Sequence, residues 1–452
     1  MTAIKRQEMA QGARNMKRTI DIKLDEWKSS PRRKPLILFG ARQVGKTYAI
    51  THFAERSFDS MAYVDFSRET RAAIPFGDSI APADIIRGLE SLLHMRIDPD
   101  RTLIVLDEIQ LCERALTSLK YFCDDAPQYH VVAAGSLLGV KVNRSRYSFP
   151  VGKVDMLTLH PMNFKEYLWA KGEERLADGI RDAYQTPEVP FPYHDIAMDL
   201  VREYMIVGGM PESVSAYLES DRRMEDARTV QRNIITAYTA DMAKYSTPRE
   251  TQRILEAWNS IPRQLAKENH KFQYKAIRSG GRSNMYQGAL SWLVSAGIIT
   301  RLTQVSEPVA PLRAFEDPSS FKIYMADTGL LSSEYDILPA DLLPADNKAS
   351  VFRGALNENY VLQQLIADEL HPHYWGTLNR GEVEFIVRDR QGDVIPIEVK
   401  SGTNVTARSL VAYRAKYSPR YAVRLSARNF GAEGDLRSIP LYAAWLLAED
   451  LR

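Results

Sequence analysis

The stretch Pro35-Leu36-Ile37-Leu38-Phe39, followed directly by Gly40-Ala41-Arg42-Gln43-Val44-Gly45-Lys46-Thr47, decides the fold. The apolar run predicts a buried strand, and the residues after it match the pattern G-x-x-x-x-G-K-T, with helix-forming sequence behind them. A strand, this loop and a helix in that order bring backbone N–H groups and the positive end of the helix dipole together on phosphate. Residues 40–47 are therefore expected to hold a nucleotide, with Lys46 reaching the β- and γ-phosphates and the Thr47 hydroxyl binding Mg²⁺. The alternative is a glycine-containing turn without a ligand.

A second apolar run ends in two carboxylates. Residues 101–106 lead into Asp107 and Glu108, as expected for a strand of a parallel sheet that is covered on both faces. Ligands of such sheets lie at the carboxyl ends of the strands, so Asp107 and the phosphate loop should emerge at one edge. Asp107 is predicted to hold Mg²⁺, and Glu108 to orient or deprotonate the attacking water. The pair favours hydrolysis over transfer to a small molecule, and a capping carboxylate pair at a strand end is the alternative.

The composition is that of an ordinary globular protein of about three domains. The 452 residues are 45% hydrophobic and 26% charged, and the net charge of +2 excludes a uniformly basic nucleic-acid coat. The two cysteines, Cys112 and Cys123, lack the spacing of metal ligands, and no run approaches the about 20 apolar residues of a membrane helix. With no apolar core for a signal peptide near residue 1, we expect a cytoplasmic protein without a membrane partner.

Strands and helices alternate over the first part of the chain, which predicts an α/β fold with a doubly wound parallel sheet. Strands are predicted at 35–39, 61–66, 102–106 and 130–134, with a further strand near 151–154 and a loose polar linker over 171–192. Ser136, just after the fourth strand, is a candidate sensor of the γ-phosphate. We expect a P-loop ATPase core over residues 1–195, a helical lid over 196–247, a winged-helix-like domain over 248–340 and a small α/β nuclease-like domain over 341–452.

The predicted winged helix carries a basic segment. Between Pro262 and Arg282 six basic residues face Glu268 alone, a local net charge of +5. Such a patch would contact DNA phosphates, which position a protein without reading sequence; a solvated helix face is the alternative. The candidate DNA-binding residues are Lys267, Lys271, Lys275, Arg278 and Arg282.

Acidic residues recur in the last part of the chain. A helix over 354–370 bears Glu358, and two strands of a predicted hairpin carry Glu384 and the pair Glu398 and Lys400. Alternation along a strand puts Glu398 and Lys400 on one face. Together these four side chains are candidates for binding a divalent metal and activating water for phosphodiester cleavage.

The chain resembles the prokaryotic AAA+-type ATPases that carry a C-terminal domain of unknown function, a group related to archaeal signalling-like ATPases. The resemblance runs almost end to end. It rests on residues 40–47, 106–110, 135–136, 159–168, 208–212, 324–331 and 396–400.

The resemblance implies roles for several residues. It supports Lys46, Thr47, Asp107 and Glu108 as the ATP site, and Gly209-Met210-Pro211 as a lid motif whose proline packs on the nucleotide. Lys153 stands where relatives place an arginine finger, which leaves Arg144 and Arg146 as substitutes. The last domain resembles a PD-(D/E)XK nuclease, with Glu384 where aspartate is usual.

Three functions remain open on the sequence. The first is ATP hydrolysis, with ATP and Mg²⁺ as cofactors, coupled to binding or remodelling of DNA, including branched or broken DNA, in a homo-oligomer. The second is a nucleotide-controlled switch that presents a protein-binding surface, with an inert nuclease-like fold. The third is an ATP-gated nuclease.

Overall fold

The computed structural model describes residues 16–68, 71–135, 149–244, 246–267, 270–338, 341, 350–377, 381–400 and 408–452. Within them the chain forms two compact units. The N-terminal unit comprises Lys17–His160 with Ser295–Gly297, and the C-terminal unit comprises Met16, Pro161–Val294 and Ile298–Arg452. Residues 161–195, which we had expected in the ATPase core, cluster with the C-terminal unit.

The N-terminal unit is built on a parallel sheet of five strands in the order β2-β3-β4-β1-β5. Its helices and strands are α1 (Ile20–Ser29), β1 (Leu36–Phe39), α2 (Lys46–Ser57), β2 (Ser60–Asp65), α3 (Pro82–Leu93), β3 (Thr102–Asp107), α4 (Glu113–Asp125), β4 (His130–Ala134) and β5 (Asp155–Thr158). Every residue of β3 and β4 is buried, because helices rather than water cover these central strands. The parallel α/β sheet expected from the sequence is confirmed.

The order of the strands positions the site. One strand, β4, lies between β1, which delivers the phosphate loop, and β3, which ends in Asp107. All three strands are parallel, so their carboxyl ends meet at one edge of the sheet. The fifth strand begins at Asp155, whereas residues 151–154, where a strand was expected, form a turn.

The first part of the C-terminal unit is helical. Its helices are α5 (Phe164–Lys171), α6 (Glu174–Gln185), α7 (His194–Val207), α8 (Pro211–Glu219), α9 (Met224–Lys244), α10 (Pro248–Leu265), α11 (Tyr274–Ile277) and α12 (Ser283–Ser295). The expected break at Gly208–Pro211 separates α7 from α8. The expected linker over 171–192 is wrong: α6 fills most of it and buries Ala177 and Ile180.

The rest of the C-terminal unit surrounds one sheet of eight strands, in the order β12-β13-β11-β10-β9-β8-β6-β7. The elements are β6 (Ile299–Val305), β7 (Glu316–Met325), α13 (Thr328–Glu334), α14 (Ser350–Ala367), β8 (His373–Thr377), β9 (Gly381–Arg388), β10 (Val394–Val399), α15 (Arg408–Tyr417), β11 (Ala422–Ser426), β12 (Gly431–Glu433), β13 (Leu436–Pro440) and α16 (Ala444–Leu451). The β9–β10 hairpin is antiparallel, as expected.

The hairpin of β6 and β7 belongs to this same sheet. The two strands pair antiparallel after three helices, which is the element order of a winged helix. However, β6 also pairs in parallel with β8, through Gln304 with Tyr374 and Val305 with Trp375. The domain boundary that we expected at residue 340 therefore crosses a continuous sheet.

No helix among the described residues is both long enough and apolar enough to span a membrane.

Candidate functional site

The phosphate loop has a backbone shape that its glycines make possible. Gly40 and Gly45 have φ of 147° and 94°, and Gln43 between them has φ of 66°. A side chain at Gly40 would overlap the carbonyl oxygen of Leu159. Residues with positive φ turn successive N–H groups to one side, which forms an anion-binding concavity. Helix α2 begins directly after Gly45, so its N-terminus faces the same space.

Lys46 is held inside this loop. Its ammonium donates hydrogen bonds to the carbonyl oxygens of Gly40, at 2.9 Å, and Ala41, at 2.7 Å. Burial lowers the pKa of Lys46 to about 8, although the nearby carboxylates of Glu108 and Asp107 act in the opposite direction. The lysine thus lies where the sequence predicted, folded onto the loop that should receive phosphate.

Asp107 and Thr47 lie together at the edge of the sheet. The Thr47 hydroxyl donates to Asp107 Oδ2 at 3.0 Å, and Asp107 is buried. Mg²⁺ takes oxygen ligands and is usually held by one or two protein groups together with phosphates and water. These two oxygen groups, side by side next to the loop, fit that ion. The loop and the acidic strand end lie side by side, and a metal ion shared between them stays a prediction.

Glu108 occupies a strained backbone position. Its φ of 52° and ψ of 40° lie in the left-handed region, and its N–H donates to Asp107 Oδ1 at 2.9 Å. Its carboxylate accepts a hydrogen bond from the Gln110 side chain. A non-glycine residue in this region costs about 1–2 kcal/mol, and such strain is concentrated at functional sites. The backbone turn places the Glu108 carboxylate just beyond the predicted metal ligand.

Two residues that the sequence analysis missed support the site. The Tyr63 hydroxyl, on β2, donates to Asp107 Oδ2 at 2.6 Å, and burial together with the Asp107 charge raises the pKa of Tyr63. Arg18 donates to the carbonyl oxygens of Val44, at 3.2 Å, and His160, at 2.8 Å. The alternation of β2 could have put Tyr63 on the face of Asp65, but no motif marks Arg18.

Some predicted residues are not brought to this site by the described structure. Ser136, Arg144 and Arg146 lie outside the described residues. Pro211 begins α8 in the C-terminal unit, and its contact with a nucleotide remains a prediction. Lys153 pairs with Asp124 at 2.5 Å at the surface of the N-terminal unit.

The acids predicted in the C-terminal unit do come together. In the antiparallel pair of β9 and β10, Ile397 lies opposite Phe385, so the adjacent residues Glu398 and Glu384 also lie opposite each other. Lys400 forms an ion pair with Glu398 and lies 3.6 Å from Glu384, whose Oε2 accepts from the Val399 N–H at 3.2 Å. Burial and the neighbouring Glu398 charge raise the pKa of Glu384 well above its ordinary value.

Glu358 has other partners, which the sequence did not indicate. Its Oε2 accepts from the Tyr324 hydroxyl at 2.6 Å, lies 2.9 Å from His270 Nδ1 and lies 3.5 Å from the ammonium of Lys322. Within the part of the chain that the structure describes, no group of three or more His, Cys, Asp or Glu side chains could hold a metal ion. The four predicted nuclease-like residues are thus neighbours, but they are not arranged as metal ligands.

The predicted DNA-binding residues are mostly exposed. Lys267, Lys275, Arg278 and Arg282 lie at the surface around α11 and before α12. Arg278 lies 3.8 Å from Glu256. Lys271 is half-buried and donates to the Ser320 hydroxyl at 2.8 Å, so its charge is partly committed to the protein.

Residues 32–168 match the family model of the AAA domain. The AAA domain contains the loop, Thr47, Asp107 and Glu108, which makes this part of the chain a P-loop ATPase domain. Two other models match: a Domain of unknown function (DUF8612) over residues 198–340 and a Domain of unknown function (DUF4143) over residues 353–443. No curated protein matches the chain significantly.

Solved structures show only a remote likeness. The Walker-type ATPase PABY2304 of Pyrococcus abyssi is 14% identical, with a TM-score of 0.44, over 72% of this chain and 97% of that one. The ORC2 protein of Aeropyrum pernix, in ADPNP–ADP complexes, is 13% identical, with a TM-score of 0.40, over 73% and 96%. The ORC1 protein of Aeropyrum pernix, in complex with DNA, is 14% identical, with a TM-score of 0.30, over 72% and 92%. Likeness at these scores carries no argument about activity or partners.

Proposed function

We propose that this protein hydrolyses ATP with Mg²⁺ and couples the hydrolysis to binding or remodelling DNA, including branched or broken DNA. The observation that carries the ATPase half is the 3.0 Å hydrogen bond between Thr47 and Asp107, next to the loop that holds Lys46. We further propose that it acts in the cytoplasm as a homo-oligomer, in which a neighbouring copy would supply an arginine to the γ-phosphate.

Each residue of the site has a distinct part in the proposed reaction. Lys46 would leave the carbonyl oxygens of Gly40 and Ala41 and bind the β- and γ-phosphates. Thr47 and Asp107 would hold Mg²⁺, which neutralises phosphate charge when bound. Glu108, which its left-handed backbone directs beyond Asp107, would orient the attacking water and accept its proton.

Two variants separate binding from hydrolysis. Lys46→Ala removes the cation for the phosphates and should weaken nucleotide binding. Glu108→Gln keeps the shape of the side chain and should bind ATP normally while turnover falls about 10²- to 10⁴-fold. Binding of a fluorescent ATP analogue and release of phosphate are the measurements. Turnover that survives Glu108→Gln would refute the role of this residue.

The DNA half is supported by the surface around α12. This 13-residue helix contains no charged residue, and its exposed side includes Ser283, Asn284, Gln287 and Ser291. Asn and Gln side chains hydrogen-bond base edges in the major groove, and basic residues near a helix N-terminus contact phosphates. Lys275, Arg278 and Arg282 precede α12 directly. A helix with a polar exposed side and basic residues before it is the arrangement that a winged helix presents to DNA.

The test compares hydrolysis and binding with single-stranded, duplex and four-way DNA. Replacing Lys275, Arg278 and Arg282 by Glu should remove binding at low salt, whereas Arg223→Glu, a change of charge at an exposed residue just before α9, should not. Each lost phosphate contact should also lower the slope of log affinity against log salt by about 0.9. If no DNA binds at low salt and none alters hydrolysis, the proposed action on DNA is refuted, while the proposed ATPase activity is unaffected.

A second candidate is a nucleotide-controlled switch with an inactive nuclease-like region. It is favoured by the partners of Glu358, which are Tyr324, His270 and Lys322 rather than an open space. Such a switch should hydrolyse ATP very slowly and retain ADP tightly. Fast turnover that DNA stimulates would exclude it.

A further inference from the structure

The resemblance to a nuclease implies that Glu358, Glu384 and Glu398 bind a divalent metal and that Lys400 acts beside them in activating water. A lysine on a neighbouring strand changes this interpretation. Lys322, on β7, is completely buried, and its ammonium lies 3.5 Å from Glu358 Oε2 and forms an ion pair with Glu382. A fully buried ammonium is costly unless carboxylates pair with it.

One oxygen of the Glu358 carboxylate is already occupied by groups of the chain. This oxygen, Oε2, receives the Tyr324 hydroxyl at 2.6 Å and faces His270 Nδ1 at 2.9 Å, in addition to Lys322. Burial opposes the charged carboxylate, but Lys322 and His270 outweigh it and lower the pKa of Glu358 to about 2. A metal ligand at this position would have to give up these partners.

The other two acids are arranged around Lys400. Its ammonium pairs with Glu398 Oε1 and lies 3.6 Å from Glu384 Oε1, while Glu384 Oε2 accepts from a backbone N–H. The one oxygen of the cluster that is buried without a hydrogen-bond partner among the described residues is Glu398 Oε2. Mg²⁺ and Ca²⁺ take oxygen ligands, so a divalent ion at this point would have to compete with the Lys400 ammonium for the carboxylate oxygens of Glu398 and Glu384.

Part of the charge of the cluster is compensated without a metal. Four carboxyl groups, those of Glu358, Glu382, Glu384 and Glu398, face the ammonium groups of Lys322 and Lys400. These two ammonium groups compensate two of the four carboxylate charges.

We propose that Lys322 is a built-in cation that takes the place of a divalent metal in this acid cluster, so that the cluster joins β7, α14 and the β9–β10 hairpin and does not cleave DNA. The lysine is anchored by its own strand and contacts an acid on α14 and an acid on β9. Lys322 thereby joins β7 to α14 and to β9, while Lys400 pairs with Glu398 on β10. The inference does not depend on ATP hydrolysis or on DNA binding.

The test is binding of Mn²⁺ to the full-length, nucleotide-free chain with Asp107→Asn, which removes the acid of the ATP site. The unchanged cluster should bind no Mn²⁺ by electron paramagnetic resonance and should not nick supercoiled plasmid. Lys322→Met removes the ammonium but keeps a long side chain. This variant should unfold at a lower temperature and should now bind Mn²⁺, with Tm rising about 5–10 °C at 100 times Kd.

Two further variants make the result specific. Adding Glu358→Gln to Lys322→Met should abolish the gained Mn²⁺ binding. The proposal would be overturned if the chain with Lys322 intact bound Mn²⁺ and Glu398→Gln abolished that binding. This measurement tests the proposal even if Lys322→Met does not fold. A Lys322→Met chain that folds but gains no Mn²⁺ binding would overturn it as well.

Discussion

At the scale of single residues, the hydrogen bond from Tyr63 orients Asp107, a proposed metal ligand. Asp107 Oδ2 accepts from both Tyr63 and Thr47, and Oδ1 accepts from the Glu108 N–H. Both carboxylate oxygens are therefore oriented before any ligand binds. Residues that orient a metal ligand in this way influence metal affinity although they do not touch the metal.

We predict that Tyr63→Phe weakens Mg²⁺ binding in the nucleotide complex about 10- to 100-fold, because Asp107 loses one of its orienting partners. The measurement is the Mg²⁺ dependence of fluorescent ATP-analogue binding, with the Mg²⁺ dependence of turnover beside it. Tyr129→Phe, in the same unit, is the matched control, since its ring packs against Phe122 away from the site. An unchanged Mg²⁺ requirement in Tyr63→Phe would show that the bond has no such role.

Nucleotide affinity should depend on pH through Lys46, whose pKa is lowered to about 8 by burial. Phosphate binds the charged ammonium, so above pH 8 binding must be accompanied by uptake of a proton. We predict that Kd for ATP does not change with pH near neutrality. Above pH 8 Kd should rise, and the increase should approach about tenfold for each pH unit. Calorimetric titration in buffers of different ionisation enthalpy would measure the proton uptake.

The control for this pH dependence is Lys46→Arg, whose guanidinium stays charged throughout the range. Whatever affinity that variant retains should not change between neutral pH and pH values near 9.5. A level profile in the unmodified chain would contradict the prediction.

The proximity of the candidate ATP-site residues could be predicted because the motif fixes both spacing and context. Lys46, Thr47, Asp107 and Glu108 lie in one contiguous loop or at one strand end. Lys322 could not be predicted. A lysine in a strand usually points to solvent, and only the pairing of β7 in a sheet with α14 packed on it reveals its burial.

At the scale of helices and strands, the segment before α8 and the start of α13 approach each other closely at two glycines. Gly208 precedes α8 and Gly329 lies in α13, and a side chain on Gly329 would lie 2.5 Å from Gly208 Cα. Asp327 Oδ2 accepts from the Gly209 N–H at 2.7 Å, and Oδ1 accepts from the Leu330 N–H at 3.0 Å. The motif around residues 324–331 thus fastens the segment that contains the predicted lid proline.

We predict that Gly329→Ala destabilises the protein by about 1–3 kcal/mol, because the new methyl group overlaps backbone atoms that cannot move independently. Gly354→Ala is the matched control: it also lies in a helix, but nothing lies within 4 Å of its added methyl group. That change should be neutral or stabilising by about 0.5–1 kcal/mol. Urea unfolding of both variants is the measurement, and equal stabilities would refute the packing argument.

The strands with a strong hydrophobic pattern were predicted well, whereas helix α6, with a weaker pattern, was not. The strands β1 to β4 lie within about two residues of their expected bounds, since each is a continuous apolar run between polar turns. Helix α6 was missed because it buries little more than Ala177 and Ile180. The prolines that suggested a linker, at 187, 190 and 192, all follow the helix end at Gln185.

At the scale of the whole molecule, the shared sheet links regions that the sequence separated. Two family models meet at residues 340–353, yet β6 of one pairs with β8 of the other. The sequence alone could not show this, because pairing between distant strands leaves no local pattern. The hydrogen bonds of Glu358 to Tyr324 and His270 cross the same boundary.

We predict that a fragment of residues 341–452 does not fold by itself. It would lose β6 and β7, expose the free side of β8 and leave Glu358 without Lys322, and a buried charge that loses its partner costs several kcal/mol. A fragment of residues 161–452 keeps all eight strands and should fold. Dispersion of amide signals in nuclear magnetic resonance spectra distinguishes the two, and a well-dispersed spectrum of the shorter fragment would refute the prediction.

The outer margin of the eight-stranded sheet is protected in two different ways. In the second half of β7, Phe272 donates its N–H to the Phe321 carbonyl oxygen at 2.8 Å, and Lys271 forms a bridge with Lys322. The first residues of β7 are Glu316, Asp317 and Pro318, and proline has no N–H to offer an incoming strand. Fibril-like stacking of one copy on another through β7 is thereby discouraged.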